Sequence, residues 1–253
     1  MHIEDGPVRR ITFDRPDAYN AMTGAVAREL TDALDGLDPT DQDAVVITGE
    51  GEAFSAGGDI EAMAEREETA REAYERVRET LGRVAEQILT APVPVVAKVN
   101  GDAVGAGLSV VAAADFAYAA ESARFGASFV DVGLVPDAGG TVLLPRLLGL
   151  RTAKELAFTG RLLDAREAAD LDLVNETVHD EALDGRVETL LDELQGQPTE
   201  TIALAKAAIH DNLGRSWRDG LEREAHAQTL AYDTDAHSEG VAAFLDGREP
   251  EFE

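Results

Sequence analysis

The chain has 253 residues, 44% of them hydrophobic, which is enough to bury a substantial core. Its 50 acidic residues against 22 basic ones give a formal net charge of −28, which disfavours binding to nucleic acid or to an anionic membrane. The lack of cysteine excludes disulfides and thiolate catalysis, and the five histidines show no metal-ligand spacing.

Short β-prone runs alternate with helical segments through the first half of the chain. This alternation predicts an α/β fold built from βαβ units rather than a sandwich. The densely charged stretch 61–83 has few large apolar residues, which predicts a solvated, mobile helix. The predicted strands cover 11–13, 44–48, 93–99 and 116–119, and the predicted helices cover 23–37 and 60–89.

The second half of the chain is predicted to be mainly helical. Residues 147–173 should form two short helices separated by a turn at 159–161, the second helix covering 165–170. Beyond the Gly- and Pro-containing stretch 195–199 the pattern is wholly helical, which predicts a core at 1–195 and a helical region at 196–253. A helical tail with an apolar face needs a partner, either its own core or a neighbouring subunit.

Two loop sequences suggest chemistry. FSAGGDI (54–60) and NGDAVGAG (100–107) each follow an apolar run and place small residues where a helix should begin. Backbone N–H groups are unpaired at a helix start, and two of them from separate loops can stabilise negative charge on one oxygen. Either loop alone could be an ordinary strand-to-helix turn. Together they favour an oxyanion hole for a thioester enolate.

With GLVPDAGGT (133–141), these loops resemble the crotonase (enoyl-CoA hydratase/isomerase) superfamily. The resemblance extends from DRPDAYNAM (14–22) to EGVAAFLDGREPEF (239–252), in family order and spacing. It implies a crotonase spiral of ββα units, with a C-terminal helical region that forms trimers or dimers of trimers. It also implies an acyl-CoA thioester substrate and no metal or redox cofactor.

The resemblance assigns the two oxyanion donors to the backbone N–H groups of Gly58 and Ala106. It further implies that backbone groups at Ala18, Ala56 and Gly58, together with Asp59 and Ile60, hold coenzyme A.

Many relatives carry a lysine after the position of Ile60, where this chain has Glu61. The anionic ligand must then be met elsewhere, and Arg15 and Lys206 are the candidates. Each could instead be an ordinary surface charge.

The resemblance also identifies what is missing. Hydratases of the superfamily use two glutamates, and the matching positions here hold Ser109 and Phe129. Phenylalanine accepts no proton, and a serine hydroxyl without a partner is a poor base. Asp131 and Asp102 are weaker alternatives, because the first is expected to be exposed and the second has no evident partner.

Asp137 remains the candidate proton carrier. From local sequence it could simply cap the following helix by accepting N–H bonds from Gly139 or Gly140. However, its segment resembles ring-enlarging epoxyphenylacetyl-CoA isomerases, in which the equivalent aspartate is the proton shuttle. Dienoyl-CoA isomerases also place an aspartate there. Such an aspartate must be partly desolvated, and Leu134, Val135 and Phe129 could form its apolar wall.

The first hypothesis is therefore an acyl-CoA isomerase with one aspartate as base and acid. The alternatives are an enoyl-CoA hydratase using Asp137 with a bound water, and a non-catalytic acyl-CoA binder or assembly subunit. A dehalogenase is disfavoured, because the chain's one tryptophan is far away at position 217. In this superfamily the 61–83 stretch lies beside the acyl pocket, where it would influence substrate choice.

The acidic composition also predicts the environment. Lysine occurs only at positions 98, 154 and 206. The self-repulsion of such a chain is screened at about 1 M salt, where the Debye length falls to roughly 3 Å. This predicts the salt-rich cytoplasm of a halophile, the alternative being an ordinary acidic protein. The start of the chain has no basic-then-apolar leader, and its apolar runs are short, which predicts a soluble cytoplasmic protein.

Overall fold

The computed structural model, which describes residues 1–252, is an α/β fold with two sheets. The larger sheet has six strands in the order β1-β2-β3-β5-β7-β10, and the smaller has four in the order β4-β6-β8-β9. The strands are β1 (His2–Glu4), β2 (Val8–Phe13), β3 (Ala44–Gly49), β4 (Ala53–Ser55), β5 (Val95–Val99), β6 (Asp102–Val104), β7 (Phe116–Ala120), β8 (Arg124–Gly126), β9 (Leu162–Asp164) and β10 (Glu176–Val178).

The chain builds these sheets by repeating one step. A strand of the large sheet is followed, after a short turn, by a strand of the small sheet and then by helical structure, as in β3-β4, β5-β6 and β7-β8. Strands β2, β3, β5, β7 and β10 pair in parallel, so each return requires a crossover. This repetition is the predicted spiral of ββα units.

Twelve α-helices complete the described part of the chain. They are α1 (Gly24–Asp35), α2 (Ile60–Ala64), α3 (Ala70–Glu79), α4 (Leu81–Thr90), α5 (Ala106–Ala113), α6 (Gly140–Leu147), α7 (Gly149–Thr159), α8 (Ala165–Asp170), α9 (Leu183–Gln195), α10 (Thr199–Asn212), α11 (Trp217–Ala231) and α12 (Asp235–Asp246). Short 3-10 turns cover 16–18, 128–132 and 180–182. No helix among residues 1–252 is long and apolar enough to cross a membrane.

The four predicted strands are present, and the predicted strand at 93–99 begins two residues later, at Val95. The predicted helix at 60–89 is wrong as one element, because it is three helices. Thr69 forms a capping box with Glu72 and starts α3 anew, and Thr80 has a non-helical backbone between α3 and α4. Strand β9 was not predicted. Its three residues pair antiparallel with β8.

The main core fills the space between the large sheet and helices α1, α4 and α5, and a second cluster lies under α9. Helix α5 is buried along its whole length, as a helix with apolar residues all round must be. The start of this helix is therefore fixed by packing on every side.

The C-terminal helices leave much apolar surface uncovered. Helix α11 buries only Gly220 and α12 only Ala243, while Trp217 and Phe244 are 70% and 85% exposed. Packing on its own core therefore covers little of this region. The expected partner, a neighbouring subunit, stays a prediction.

Helix α10 carries a buried ion pair. The Lys206 ammonium lies 2.6 Å from Asp115 Oδ2 and donates to the Val93 carbonyl at 3.2 Å. Asp115 also accepts the Val95 N–H. Burial lowers the pKa of Lys206, and the Asp115 charge opposes that effect. The pair ties α10 to the first residues of β5.

Removing Asp115 should leave this ammonium buried without its counterion. We expect Asp115→Asn to lower the free energy of unfolding by about 3 kcal/mol. Lys206→Met should cost less, because an apolar side chain suits a groove lined by Leu89 and Ile202. Urea denaturation of both variants measures this, and equal losses would contradict the assignment.

The charge of −28 predicts salt-dependent stability. Raising the salt from about 0.1 M to about 1 M shortens the Debye length from roughly 10 Å to roughly 3 Å and screens the repulsion. Tm should therefore rise with KCl concentration in thermal scans. Sucrose at matched osmolarity is the control for general solute exclusion. A Tm that ignores KCl would contradict the role given to charge.

Candidate active site

The first loop, 55–59, is held by a two-way contact with Met22. The Met22 N–H donates to the Gly57 carbonyl at 2.6 Å, and the Asp59 N–H donates to the Met22 carbonyl at 3.1 Å. These bonds fix the peptide groups on both sides of Gly58. The Gly58 N–H has no backbone or side-chain acceptor among the described residues. It is a fixed, unpaired donor.

The second loop turns from β6 into α5. Gly105 has φ +56° and ψ −122°, a conformation that favours glycine, and its N–H donates to the Gly126 carbonyl. Ala106 is the first residue of α5, where an N–H has no partner within its own helix. No other acceptor for the Ala106 N–H is found in residues 1–252.

The two loops touch at their glycines. A Cβ on Gly57 would lie 3.1 Å from the Ala106 nitrogen and 2.7 Å from the Val104 carbonyl oxygen. A Cβ on Gly107 would overlap the Ser55 carbonyl. A side chain at either position would push the loops apart, so the close approach of the two loops depends on glycine.

Asp137 and Gly58 line one cavity of about 490 Å³. The Asp137 Oδ1 atom is buried and has no hydrogen-bond partner. Burial raises the pKa of this carboxyl above its usual value, its own backbone N–H and the Arg76 charge opposing that effect. An unpaired carboxylate with raised basicity is suited to accepting a proton.

The helix-cap interpretation of Asp137 is wrong. Helix α6 has Gly139 as its N-cap residue, and no side chain caps it. Ala138 and Gly139 both have positive φ, 48° and 87°, so the backbone turns sharply after Asp137. The carboxylate is thereby left without the N–H partners that the sequence offered it.

Ser109 and Phe129 occupy the two glutamate positions of hydratases, and Ser109 supports this turn. The Ser109 hydroxyl donates to the Asp137 carbonyl at 2.9 Å and so links α5 to the aspartate. Phe129 is buried, and its Cζ lies 4.0 Å from where a Cβ on Gly105 would be. Of the predicted apolar wall, Leu134 and Val135 line the cavity, and Phe129 does not.

The charged stretch 61–83 forms one wall of the cavity. Met63, Arg66, Glu68, Ala73, Arg76, Val77, Thr80 and Leu81 line it. Helix α3 buries none of its residues, as a solvated helix should, yet it faces the aspartate across the cavity. The stretch therefore lines the same cavity as Asp137 and Gly58.

Ala106 does not line this cavity. It is buried at the start of α5, and its nitrogen would lie 3.1 Å from a Cβ on Gly57. Ala56 lines a separate groove with Tyr19, Asn100 and Arg124. Ala18 is half-buried in a 3-10 turn.

Asp59 and Ile60 begin helix α2. The Asp59 carboxylate accepts the Ala62 N–H at 2.9 Å, which lowers its pKa, and pairs with Arg15 at 2.9 Å. Ile60 is 53% exposed. Both carboxylate oxygens of Asp59 thus have partners within the protein. Of Asp59, only the backbone groups are then left to contact a ligand.

Two expected phosphate partners need correction. Arg15 is bound to Asp59 and to the Ala21 carbonyl, where it braces the first loop. Lys206 is buried against Asp115 and lines a different cavity from Asp137. Neither cation is a free surface charge in this chain. Sequence alone could not show this, because both partners are remote in the chain.

Asn20 is a site residue that sequence reasoning missed. It is 1% exposed with φ +56°, and its amide donates to the carbonyls of Glu50 and Ala53. The Asn20 carbonyl accepts the Ser55 hydroxyl at 2.9 Å. The sequence signal for this turn is Tyr19-Asn20 ahead of α1, since asparagine tolerates the positive φ that the turn requires. Asp102, for which the sequence suggests no partner, forms an ion pair with Arg124.

No group of three or more potential metal ligands occurs within residues 1–252. The cavity instead combines one basic carboxylate, a fixed N–H donor and apolar walls. It is equipped to move a proton next to a polarised carbonyl.

Comparison with known proteins agrees with this geometry. A family model described as enoyl-CoA hydratase/isomerase matches residues 4–253. A probable enoyl-CoA hydratase of Rhodobacter capsulatus is 37% identical over 96% of this chain and 93% of its own length. The 1,2-epoxyphenylacetyl-CoA isomerase of Escherichia coli is 33% identical over 99% of this chain and 96% of its own.

A solved enoyl-CoA hydratase from Bacillus anthracis superposes with a TM-score of 0.92 and 31% identity. That match covers 100% of this chain and 99% of the other. The chain belongs to the enoyl-CoA hydratase/isomerase family and has the crotonase fold.

Proposed function

We propose that the protein is an acyl-CoA isomerase that shifts a double bond, or rearranges a ring-epoxide CoA ester, with Asp137 as its proton carrier. One observation carries this proposal. Asp137 is the one carboxylate placed as an unpaired base in the cavity beside Gly58, and both hydratase glutamates are replaced.

The chemistry requires one base and one oxyanion site. The N–H groups of Gly58 and Ala106 would bind the thioester oxygen and stabilise its enolate. Asp137 takes a proton from the α carbon of a 3-enoyl thioester, which leaves a delocalised dienolate. The same carboxyl then returns that proton to the γ carbon. Hydration requires in addition that a water be activated, for which a second carboxylate is usual.

Hydration is the second candidate, and two names support it, because the Rhodobacter relative and the Bacillus structure are both named hydratases. Asp137 with a bound water would then perform both proton transfers. The relative from Escherichia coli supports the isomerase reading, since its name states an isomerisation. A non-catalytic acyl-CoA binder is the third outcome that the assays below distinguish.

The same proposal includes how the substrate is held. Coenzyme A would lie against the backbone of Ala18, Ala56, Asp59 and Ile60, passing over the first loop. The exposed apolar faces of α11 and α12 would be covered in a trimer or a dimer of trimers. A salt-rich cytoplasm suits the charge of −28.

Asp137→Asn tests the proposal directly. The variant keeps the size of the side chain and loses its basicity, so isomerisation of 3-enoyl-CoA should fall by at least about 10²-fold. Binding of the CoA ester, measured by calorimetry, should be nearly unchanged. Straight-chain 3-enoyl, dienoyl and ring-epoxide CoA esters form the substrate panel.

The control is crotonyl-CoA with the unmodified protein. Appearance of the 3-hydroxy product at a rate above isomerisation would assign the protein as a hydratase. Turnover of every ester unchanged by Asp137→Asn would contradict the role of the aspartate. Binding without turnover of any ester would identify the non-catalytic alternative.

The raised pKa of Asp137 predicts a pH dependence. The base is active when deprotonated, so kcat/KM should rise with pH through the pKa of the free carboxyl. Because burial raises that pKa, the midpoint should lie above the ordinary aspartate value of about 3.9. A pH-rate profile of isomerisation measures it. A midpoint at or below the ordinary value would contradict a desolvated base.

A further inference from the structure

An ion pair lies in the wall of the cavity that contains Asp137. The guanidinium of Arg76 donates from Nε to Glu68 Oε2 at 2.9 Å and from Nη2 to Glu68 Oε1 at 2.6 Å. The two side chains are 28% and 24% exposed, and both line the cavity. This two-bond geometry is the strongest form of an arginine-carboxylate contact.

The ion pair connects the residue before the N-cap of α3 with the second turn of that helix. Glu68 directly precedes Thr69, the N-cap of α3, and Arg76 lies two turns into the helix. The contact thus fixes the guanidinium relative to the helix start. It uses Nε and Nη2 of Arg76, and Nη1 makes no hydrogen bond in the described structure.

Few charged groups face Asp137. The charged residues lining its cavity are Arg66, Glu68 and Arg76, all from the 61–83 stretch. The starts of helices α1 and α4 contribute neutral side chains, among them their N-cap residues Thr23 and Thr80. Helix α5 contributes the neutral Ser109, which binds the Asp137 carbonyl. The charges around the carboxylate therefore come from one segment of the chain, 61–83.

We propose that Arg76 and Glu68 are positioning residues that set the basicity of Asp137: Arg76 supplies a positive charge near the carboxylate, and Glu68 keeps that charge from binding it. The proposal rests on Asp137 being the proton carrier. Its geometric basis is that Arg76 shares the cavity with an unpaired carboxylate oxygen yet bonds to Glu68 instead.

The physical reason is a balance between two extremes. A carboxylate in direct contact with arginine has a strongly lowered pKa and is a weak base. A buried carboxylate with no cation nearby has a raised pKa and stays protonated to higher pH. Here burial raises the pKa of Asp137 and the Arg76 charge opposes that effect.

The test is a pair of variants with opposite expected signs. Arg76→Gln removes the cation, so the acidic limb of the kcat/KM profile should move to higher pH. Because the arginine does not contact the carboxylate directly, the expected shift is roughly half a pH unit. Glu68→Gln frees the guanidinium toward Asp137, so the limb should move to lower pH. Arg76→Lys keeps the charge and should return the limb towards its original position.

Arg71→Gln is the matched control. Arg71 lies on the same helix and pairs with Glu75, but it does not line the cavity. This variant should leave the limb unchanged.

A merely structural pair would lower activity in both variants without moving the limb, and that result would overturn the proposal. If Arg76→Gln does not fold, judged by circular dichroism, Glu68→Gln decides alone, and an unmoved limb again overturns it. Activity that survives Asp137→Asn would show instead that the proposed function has failed.

Discussion

The site depends on the close approach of two loops that each end a strand. The chain can bring the Gly57 and Ala106 backbones together only because Gly57 and Gly107 lack side chains. Met22 then fixes the peptides on both sides of Gly58, so that one N–H has a definite direction and no acceptor. A donor prepared in this way costs no reorganisation when charge develops on a bound oxygen, which is the basis of oxyanion stabilisation.

Few groups around this fixed N–H donor can carry a proton. Ser109 takes a structural role by holding the Asp137 carbonyl, and the strained turn at Ala138 keeps the carboxylate out of the helix cap. The cavity thus holds one unpaired carboxylate, that of Asp137, and the positions of the two hydratase glutamates hold Ser109 and Phe129. A single carboxyl suffices when a proton is only moved within the substrate, which is why isomerisation is the chemistry we propose.

A solvated segment lies on one side of this centre. The 61–83 stretch supplies one wall of the cavity and nearly all its charge, although α3 buries no residue. Such a helix is weakly anchored and can change sequence without disturbing the core. In the proposed function, the two loops of the spiral would bind the thioester carbonyl, and the 61–83 stretch would contact the acyl group attached to it.

The sequence by itself determined the family, the alternation of strands and helices, the two loops and the candidate aspartate, because glycine spacing and apolar periodicity are local properties. Only the tertiary structure decided the partners of the charged residues. Lys206 with Asp115 and Arg15 with Asp59 are separated by 91 and 44 positions, so no local pattern joins them. It also decided that Asp137 is unpaired rather than a cap, since that depends on the backbone turn and on burial by remote residues.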